Sequence, residues 1–249
     1  MMRVIRAVLD WLFPKKAICM GCGSIAGCQE DWICPACRQQ LAKRWVGAAM
    51  PPLGLDGAAF AYVYADSAAS IVQRLKYSGI GQLAGFMGED MATAYHFIEP
   101  TGADCVVCAP MNDKRRRKRG FNHAELLARD VANRLGLKFI DALRCTRVVR
   151  QQARLNAEQR LRNLDGVIAL KAPVKGRRVI LVDDVSTTGA TARACAKALR
   201  EGGAAGVYLL CYTVARGKKD IDAPENRPTE GMWKNGQADQ REEPHHQES

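Results

Sequence analysis

The chain of 249 residues is 47% hydrophobic and carries a formal net charge of +11 at pH 7. A chain of this length can bury one core of ordinary size, so we expect one main domain with room for a small appendage. The positive charge favours polyanionic partners such as nucleic acid, nucleotides or anionic lipid, but it selects none of them by itself.

The first 13 residues, MMRVIRAVLDWLF, are predicted to form a short helix, because Val4, Val8 and Leu12 share one face. Asp10 interrupts the apolar run and no cleavage site of small residues follows, which argues against a signal peptide. No stretch of 18 residues is apolar throughout. We therefore expect no membrane span and a cytoplasmic protein.

Two C-x2-C pairs, CMGC and CPAC, come next, with eleven residues between them. The ten cysteines of the chain favour metal binding or reduced thiols over a disulfide framework. The paired spacing predicts a closed, structural zinc site with the ligands Cys19, Cys22, Cys34 and Cys37. A redox pair and simple buried thiols are the alternatives, and Cys28 is predicted to lie outside the site.

After a linker rich in proline and glycine, GAAMPPLGLDG, short apolar runs alternate with helical segments. The predicted strands are AFAYVY, CVVCAP, VIAL, RVILVDD and GVYLLCYTV. This alternation is typical of an α/β domain with a largely parallel sheet flanked by helices. We predict an N-terminal helix and zinc module at 1–47, the α/β domain at 55–216 and a disordered polar tail at 217–249.

A third C-x2-C pair, Cys105 and Cys108, lies within the predicted strand CVVCAP. Residues three apart in a strand point to opposite faces of the sheet, so these two thiols cannot share one metal ion. We predict that they pack in the core, together with Cys145, Cys195 and Cys211.

Six consecutive basic residues follow that strand in a predicted loop: Lys114, Arg115, Arg116, Arg117, Lys118 and Arg119. Asn122 can then cap a helix, with Glu125 three residues further on. Loops that follow parallel strands lie at one edge of the sheet, where ligands bind. The basic run could bind a pyrophosphate, a nucleic-acid backbone or both, and a solvated charge run is the alternative.

A second basic segment, residues 150–170, precedes the strand RVILVDD. It contains Arg150, Arg154, Arg160 and Arg162 and few apolar residues. We expect it to be exposed, and either anion contact or plain surface fits its composition.

The stretch VILVDDVSTTGAT, residues 179–191, joins an apolar strand to two acids and a turn rich in hydroxyl groups. The turn can hold a phosphate at the N terminus of the next helix, through its amides and hydroxyls. Asp183 and Asp184 would repel that phosphate, so they must accept hydrogen bonds from neutral donors, and the vicinal hydroxyls of a ribose fit. A 5-phosphorylated ribose would satisfy both the turn, through its phosphate, and the acids, through its hydroxyls. The P-loop and dinucleotide-binding motifs are absent from this stretch.

This stretch resembles the phosphoribosyl pyrophosphate (PRPP) motif of type I phosphoribosyltransferases. The matching residues are Asp183, Asp184, Thr187, Thr188, Gly189, Ala190 and Thr191. In chain order, the cysteine pairs, LKYSG, AP with RGFNHAELLA, QQARLNAEQRLRN and VILVDDVSTTGAT together resemble the ComF family. The similarity covers nearly everything before the tail, although His123 stands where the family usually has glutamine.

The resemblance implies a type I phosphoribosyltransferase domain behind a zinc-ribbon-like module that contains the four cysteines. It also implies a role in natural transformation, in which single-stranded DNA is internalised with a helicase partner. Lys76 and Asn122 join residues 115–119 as candidate contacts for pyrophosphate or DNA. Because only 6% of residues are aromatic, DNA binding should be mostly electrostatic.

Three functions remain open, and a PRPP-binding DNA-uptake factor is favoured. The alternative is an active phosphoribosyltransferase, in which Mg²⁺ and the basic run neutralise the departing pyrophosphate while a nitrogen nucleophile attacks C1 of the ribose. We identify no nucleobase pocket and no catalytic residue. A PRPP-sensing regulator of transcription is less favoured, because no helix-turn-helix segment precedes the domain.

Overall fold

The computed structural model describes residues 18–25, 32–77, 83–98, 102–146 and 166–215. The predicted N-terminal helix, Cys28, the arginines at 150–162 and the predicted disordered tail lie outside the described residues. None of the helices in these ranges is long and apolar enough to cross a membrane.

The described chain contains helices and strands in mixed order, and each of the five predicted strands is found. The helices are α1 (Pro35–Ala42), α2 (Asp66–Tyr77), α3 (Leu83–Tyr95), α4 (Asp113–Arg119), α5 (His123–Arg134) and α6 (Ala190–Glu201). The strands are β1 (Trp45–Ala49), β2 (Gly57–Val63), β3 (Cys105–Cys108), β4 (Lys138–Phe139), β5 (Leu143–Cys145), β6 (Ile168–Leu170), β7 (Arg178–Ser186) and β8 (Gly206–Val214).

Six strands form the main sheet in the order β1-β2-β8-β7-β3-β4. Only β1 runs antiparallel to its neighbour, and the other pairs are parallel. The sheet is therefore largely parallel, and β7 lies near its centre between β8 and β3. Since β1 spans residues 45–49, the predicted end of the N-terminal module at residue 47 falls inside an edge strand of this sheet.

The predicted strand VIAL does not join the main sheet. Its residues form β6, which pairs antiparallel with β5 in a separate two-stranded sheet. Leu170 of β6 lies against Gly202 at the end of α6, where an added Cβ would come within 2.6 Å of its side chain. Packing on α6 therefore holds this two-stranded sheet beside the main sheet.

The two faces of the main sheet bury separate clusters of apolar side chains. Ile180 and Val182 of β7 face α1, α2, α3 and α5, together with the cysteine-rich segment. Val179 and Leu181, on the other face, pack against α6 and the two-stranded sheet of β5 and β6. The period of two along a strand explains this division, and it decides which helices each acid of β7 meets.

The basic run predicted as a loop is in fact helix α4. Asn112 caps it by accepting a hydrogen bond from the Arg115 amide at 2.9 Å, and Asp113 supplies a negative charge in its first turn. Gly120 ends it in a left-handed conformation, with φ of 80°. Lysine and arginine are good helix formers, so these flanking signals outweigh charge repulsion within the run.

Candidate functional site

The two acids of β7 lie within the last four residues of that strand, near the centre of the main sheet. Asp184 is 5% exposed and shares the face of Ile180 and Val182, whereas Asp183 is partly exposed. The Asp184 amide donates to Oδ1 of Asp183 at 2.8 Å. The strand thus holds both carboxyl groups at the ligand-binding edge expected for a parallel sheet.

Asp184 contacts two basic side chains that come from distant parts of the chain. Its Oδ2 contacts Nζ of Lys76, near the end of α2, and its Oδ1 lies 3.3 Å from Nε2 of His123, the first residue of α5. Lys76, the predicted contact for pyrophosphate or DNA, therefore lies beside Asp184, the predicted contact for the ribose. His123, which the sequence marks only as a departure from the family pattern, completes the group.

The pKa values of the two carboxyl groups are shifted in opposite directions. Burial by itself would raise the pKa of Asp184, but the hydrogen bond from His123 and the charge of Lys76 outweigh it and lower that pKa. Burial and the neighbouring Asp184 raise the pKa of Asp183 well above its usual range. The pair therefore carries less negative charge than two independent aspartates would.

Arg119 and Tyr77 extend this group towards the surface. A guanidinium nitrogen of Arg119 lies 3.3 Å from Nδ1 of His123, and another donates to the Tyr77 hydroxyl at 3.2 Å. The guanidinium also lies 5.1 Å from the centre of the Tyr77 ring. Tyr77 is absent from the predicted site, although its place directly after Lys76 is a signal that could have included it.

Asn122 lies at the same sheet edge, but its side chain is engaged within the protein. Its Oδ1 accepts from the Ala124 amide at 3.1 Å, which confirms the predicted cap. Its Nδ2 donates to the Ala109 carbonyl at 3.2 Å. Glu125 does not complete a capping box but accepts from Arg129 at 2.9 Å. Asn122 thus holds the start of α5 against the end of β3.

The turn after β7 has the features of an anion site. Thr187, Thr188 and Thr191 are exposed, and no side chain caps the N terminus of α6 among the described residues. Gly189 adopts a φ of 70°, and an added Cβ would meet Pro52 at 2.9 Å. Both facts require glycine there. The first-turn amides of α6, beginning at Ala190, are therefore available to an anion.

Helix α4 presents its basic side chains on two sides. Arg119 faces His123 and Tyr77, and Arg116 lies 3.4 Å from Glu125 of α5. At 100° per residue, Lys114, Arg117 and Lys118 lie on the opposite face, and all three are exposed. The predicted basic run thus divides into a side that faces the acids of β7 and a side that faces solvent.

The four predicted zinc ligands come together as one cluster. The sulfur atoms of Cys19, Cys22, Cys34 and Cys37 all lie within 4.8 Å of one another, and those of Cys22 and Cys34 are 3.8 Å apart. Four sulfurs at 2.3 Å from a tetrahedral zinc ion would be separated by about 3.8 Å. The cluster can therefore hold a metal ion, and three of its four cysteines are buried.

The backbone around this cluster favours a thiolate at Cys19, whereas burial raises the pKa of Cys37 to about 12. Burial opposes ionisation of Cys19, but hydrogen bonds from the amides of Cys34, Cys22 and Gly21 lower its pKa to about 6. The Cys34 amide lies 3.2 Å from the Cys19 sulfur. Gly21 has no room for a side chain, because an added Cβ would lie 2.7 Å from the sulfur of Cys37.

The remaining described cysteines follow the sequence prediction closely. Cys105 and Cys108 are buried on opposite faces of the sheet, and Cys195 and Cys211 are fully buried. Cys145 is only partly buried, and its sulfur lies 3.7 Å from the Pro110 carbonyl. Core packing is confirmed for four of these five residues.

Comparison with known proteins identifies the fold and its relatives. A family model described as a phosphoribosyl transferase domain matches residues 122–239. The "DNA utilization protein YhgH" of Escherichia coli strain K12 is 33% identical over 59% of this chain and 67% of its own length. The "Competence protein ComFC" of Bacillus subtilis strain 168 is 25% identical over 82% of this chain and 86% of its own.

A solved structure described as the allosteric regulatory enzyme of purine biosynthesis also aligns with part of the chain. It is 22% identical over 51% of this chain and 25% of its own length, with a TM-score of 0.34.

Proposed function

Because the chain belongs to the ComF family of proteins with a phosphoribosyltransferase domain, we propose that it binds PRPP and acts in natural competence. Its fold is that of the type I phosphoribosyltransferases, with a mixed, mostly parallel sheet flanked by helices. The relatives carry the names of a DNA utilization protein and a competence protein. These names favour a role in DNA uptake for this chain. The activity we assign is the internalisation of single-stranded DNA.

The observation that supports PRPP most directly is the arrangement at the end of β7. An acid pair lies immediately before a turn with exposed threonines and an uncapped helix N terminus. The acids offer acceptors for ribose hydroxyls, while Thr187, Thr188, Thr191 and the amides from Gly189 onward offer donors to the 5-phosphate. Lys76 and Arg119 supply positive charge for the pyrophosphate.

Mg²⁺ bound with PRPP would neutralise part of the pyrophosphate charge, mainly through ligand oxygens and water. The contribution of this chain is to hold the ribose and its 5-phosphate and to place cations on the pyrophosphate side. We assign zinc to the four-cysteine cluster because its ligands and separations fit that ion. A closed site of four sulfurs is structural, so this metal acts by holding the N-terminal segment on α2.

The outer face of α4 is the proposed DNA contact. Lys114, Arg117 and Lys118 are exposed at the edge of the sheet that carries the acid pair. Such side chains bind phosphates without sequence preference, and affinity then depends strongly on salt. We place the protein in the cytoplasm, where it would receive the incoming strand from a helicase partner.

Paired binding measurements test this function. Calorimetry should show that PRPP with Mg²⁺ binds one site per chain, and fluorescence anisotropy should show salt-dependent binding of a single-stranded oligonucleotide. Absence of PRPP binding by folded protein would contradict the assignment of the acid pair. PRPP binding without DNA binding would remove the uptake role from α4 and leave a nucleotide-metabolism function.

An active phosphoribosyltransferase is the second candidate. The observation that favours it is the position of two cations, Lys76 and Arg119, close to the acid pair, because a departing pyrophosphate requires neutralisation. Release of pyrophosphate from PRPP, measured with a panel of nitrogen acceptors, tests this activity. Turnover with any acceptor would establish the enzyme, whereas DNA binding without turnover would favour the uptake factor.

A further inference from the structure

Helix α2 buries one side and leaves the other side open to solvent. Ile71, Val72 and Leu75 pack in the core, and the helical period places a second set of side chains on the opposite side. These side chains line an open depression of about 460 Å³ and belong to Ala69, Ser70, Gln73, Arg74 and Tyr77. This surface is called the outer face of α2 below. The acid pair of β7 and the outer face of α4 are separate from it.

The outer face of α2 ends in an open aromatic ring. Tyr77 is 68% exposed, and among the phenylalanine, tyrosine and tryptophan residues of the described ranges only Phe97, at 42%, is also exposed. Stacking against another flat ring would remove the apolar surface of Tyr77 from water. A single exposed ring is ordinary on a protein surface, so its neighbours decide whether it binds a ligand.

Arg119 fixes the position of the Tyr77 ring. One guanidinium nitrogen donates to the Tyr77 hydroxyl at 3.2 Å, and the guanidinium carbon lies 5.1 Å from the centre of the ring. Arg119 is itself held by His123, 3.3 Å from its Nδ1. A guanidinium covers at most one face of a ring, so the high exposure of Tyr77 leaves the other face accessible. The ring is therefore ordered before a ligand arrives, which lowers the entropy cost of stacking.

The other polar side chains of the depression are also held in place. Gln73 donates a hydrogen bond of 2.7 Å to the Tyr64 hydroxyl. Arg74 lies against the cysteine-rich segment, where an added Cβ on Gly23 would come within 2.9 Å of its guanidinium. None of the five residues that line the depression is acidic. Arg74 within it and Arg119 beside it therefore combine positive charge with an open ring.

Arg119 also connects the outer face of α2 with the proposed DNA contact. It is the last residue of α4, and the exposed Arg117 and Lys118 precede it by about 3 Å or less along the helix axis. A nucleotide carries a phosphate and a flat base on one sugar, and it matches cations beside a ring. An acidic peptide would satisfy the cations but has no base for Tyr77. A duplex keeps its bases paired and stacked inside, so the complementary ligand is a single strand.

We propose that Tyr77 stacks on an unpaired base of single-stranded DNA, while Arg74 and Arg119 contact the phosphates beside it. This inference rests on the proposed role in DNA uptake and deepens it, because phosphate contacts on α4 alone do not distinguish a single strand from a duplex. Every base has a flat face, so stacking keeps binding independent of sequence. Stacking also adds a contribution to affinity that salt does not screen.

Fluorescence anisotropy on the full chain tests this site with two probes that carry equal numbers of phosphates. One is an oligothymidylate, and the other is a strand of the same length without bases. Wild type should bind the oligothymidylate about 5- to 150-fold more tightly, and Tyr77→Ala should remove most of this difference without changing the dependence on salt. Tyr77→Phe keeps the ring and loses the hydroxyl, so its affinity should stay within about threefold of wild type.

Equal affinity of the wild type for the two strands overturns the proposal, and this comparison needs no variant. A preference for bases that survives Tyr77→Ala overturns it by placing the stacking on another ring. Equal losses in Tyr77→Ala and Tyr77→Phe overturn it as well, because the hydroxyl group and not the ring would then be required.

Thymidine monophosphate is the third probe. Binding of this compound as tight as that of the oligothymidylate, and equally dependent on Tyr77, overturns the assignment to DNA and gives the site to a free nucleotide. A folded wild-type protein that binds neither strand overturns the proposed role in DNA uptake, and this inference with it. Equal binding of both strands overturns the stacking site alone and leaves that role in place.

Discussion

The cysteine cluster and the acid site are built in different ways, although both lie on helix α2. The four cysteines come from one segment of 19 residues, 19–37, and need only two tight turns and a short helix to meet. The acid site draws Lys76, Arg119, His123 and Asp184 from three separate segments. A local site can be recognised from spacing, whereas a distributed site depends on the packing of the whole domain.

Helix α2 connects the two regions. Near its start, Ser67 lies beside Gly21 and donates a hydrogen bond of 2.5 Å to Gln40. Near its end, Lys76 contacts Asp184. Between these points the side chains of Ile71, Val72 and Leu75 are buried in the core. The cysteine cluster therefore lies against the helix that carries the lysine, and the experiments below separate this structural support from ligand binding.

The largest expected effect is loss of the metal. Cys34→Ser with Cys37→Ser should abolish zinc binding and unfold the N-terminal segment, because structural zinc supplies about 10 to 16 kcal/mol of apparent binding free energy in small zinc domains. Metal analysis should find one zinc ion per wild-type chain and none in the variant. Cys145→Ser, a cysteine outside the cluster, is the control and should keep its zinc. Full zinc content in the double variant would place the metal elsewhere.

Removal of both acid charges should have the next largest effect. Asp183→Asn with Asp184→Asn should abolish measurable PRPP binding, since two charge-assisted interactions contribute about 3 to 6 kcal/mol at about 1.5 to 3 each. Circular dichroism should show a folded protein. The control removes two charges outside the site, with Glu89→Gln and Asp141→Asn, and should bind PRPP normally. Unchanged calorimetric affinity in the folded acid variant would locate the ribose at another site.

A third acid, Asp90 of α3, extends the comparison because burial outweighs the contacts that would favour its charged form. Burial raises its pKa to about 7, and this effect exceeds the lowering by a hydrogen bond with Tyr62 and by the charges of Arg38 and Arg134. A raised folded-state pKa means that stability is greatest below the unfolded value of 3.8 and falls as pH rises through about 7. Asp184 has the opposite sign, since its lowered pKa stabilises the protein above the unfolded value.

We therefore expect the free energy of unfolding to fall by about 4 kcal/mol between pH 4 and pH 8, because Asp90 ionises in the folded protein. Asp90→Asn should remove this decline, which denaturant unfolding at a series of pH values measures. Glu201→Gln, at an exposed acid at the end of α6, should leave the decline in place. Parallel curves of stability against pH for wild type and Asp90→Asn would show that this carboxyl group is not the cause.

The smallest expected effect concerns the solvent face of α4. Changing Lys114, Arg117 and Lys118 to alanine should reduce the slope of log affinity against log salt for single-stranded DNA by about 2, at about 0.7 per phosphate contact. PRPP affinity should be nearly unchanged, since Arg119 is retained. The matched control changes Lys43, Lys138 and Lys175, which are exposed elsewhere. An equal change of slope in the control would show a general effect of net charge.

Much of the fold and half of the candidate site could be predicted from sequence. The alternation of apolar runs predicted five strands, and the capping residue Asn122 predicted the start of α5. The same approach missed helix α4, since six like charges favour a loop, and the capping contact from Asn112 opposes that preference. It also placed VIAL in the main sheet, whereas this segment pairs with β5. The local pattern of residues predicts a strand, but packing against α6 determines which strand it pairs with.

The sequence by itself determined the parts of this protein whose chemistry is local. The cysteine spacing predicted a possible metal site, and the order of acids, threonines and Gly189 predicted a site for a phosphorylated ribose. Only the tertiary structure decided which groups surround those acids. His123 and Tyr77 reach the site because α5 and α2 pack on one face of the sheet. Side chains alternate between the two faces along β7, and Asp184 lies on the face that carries these helices.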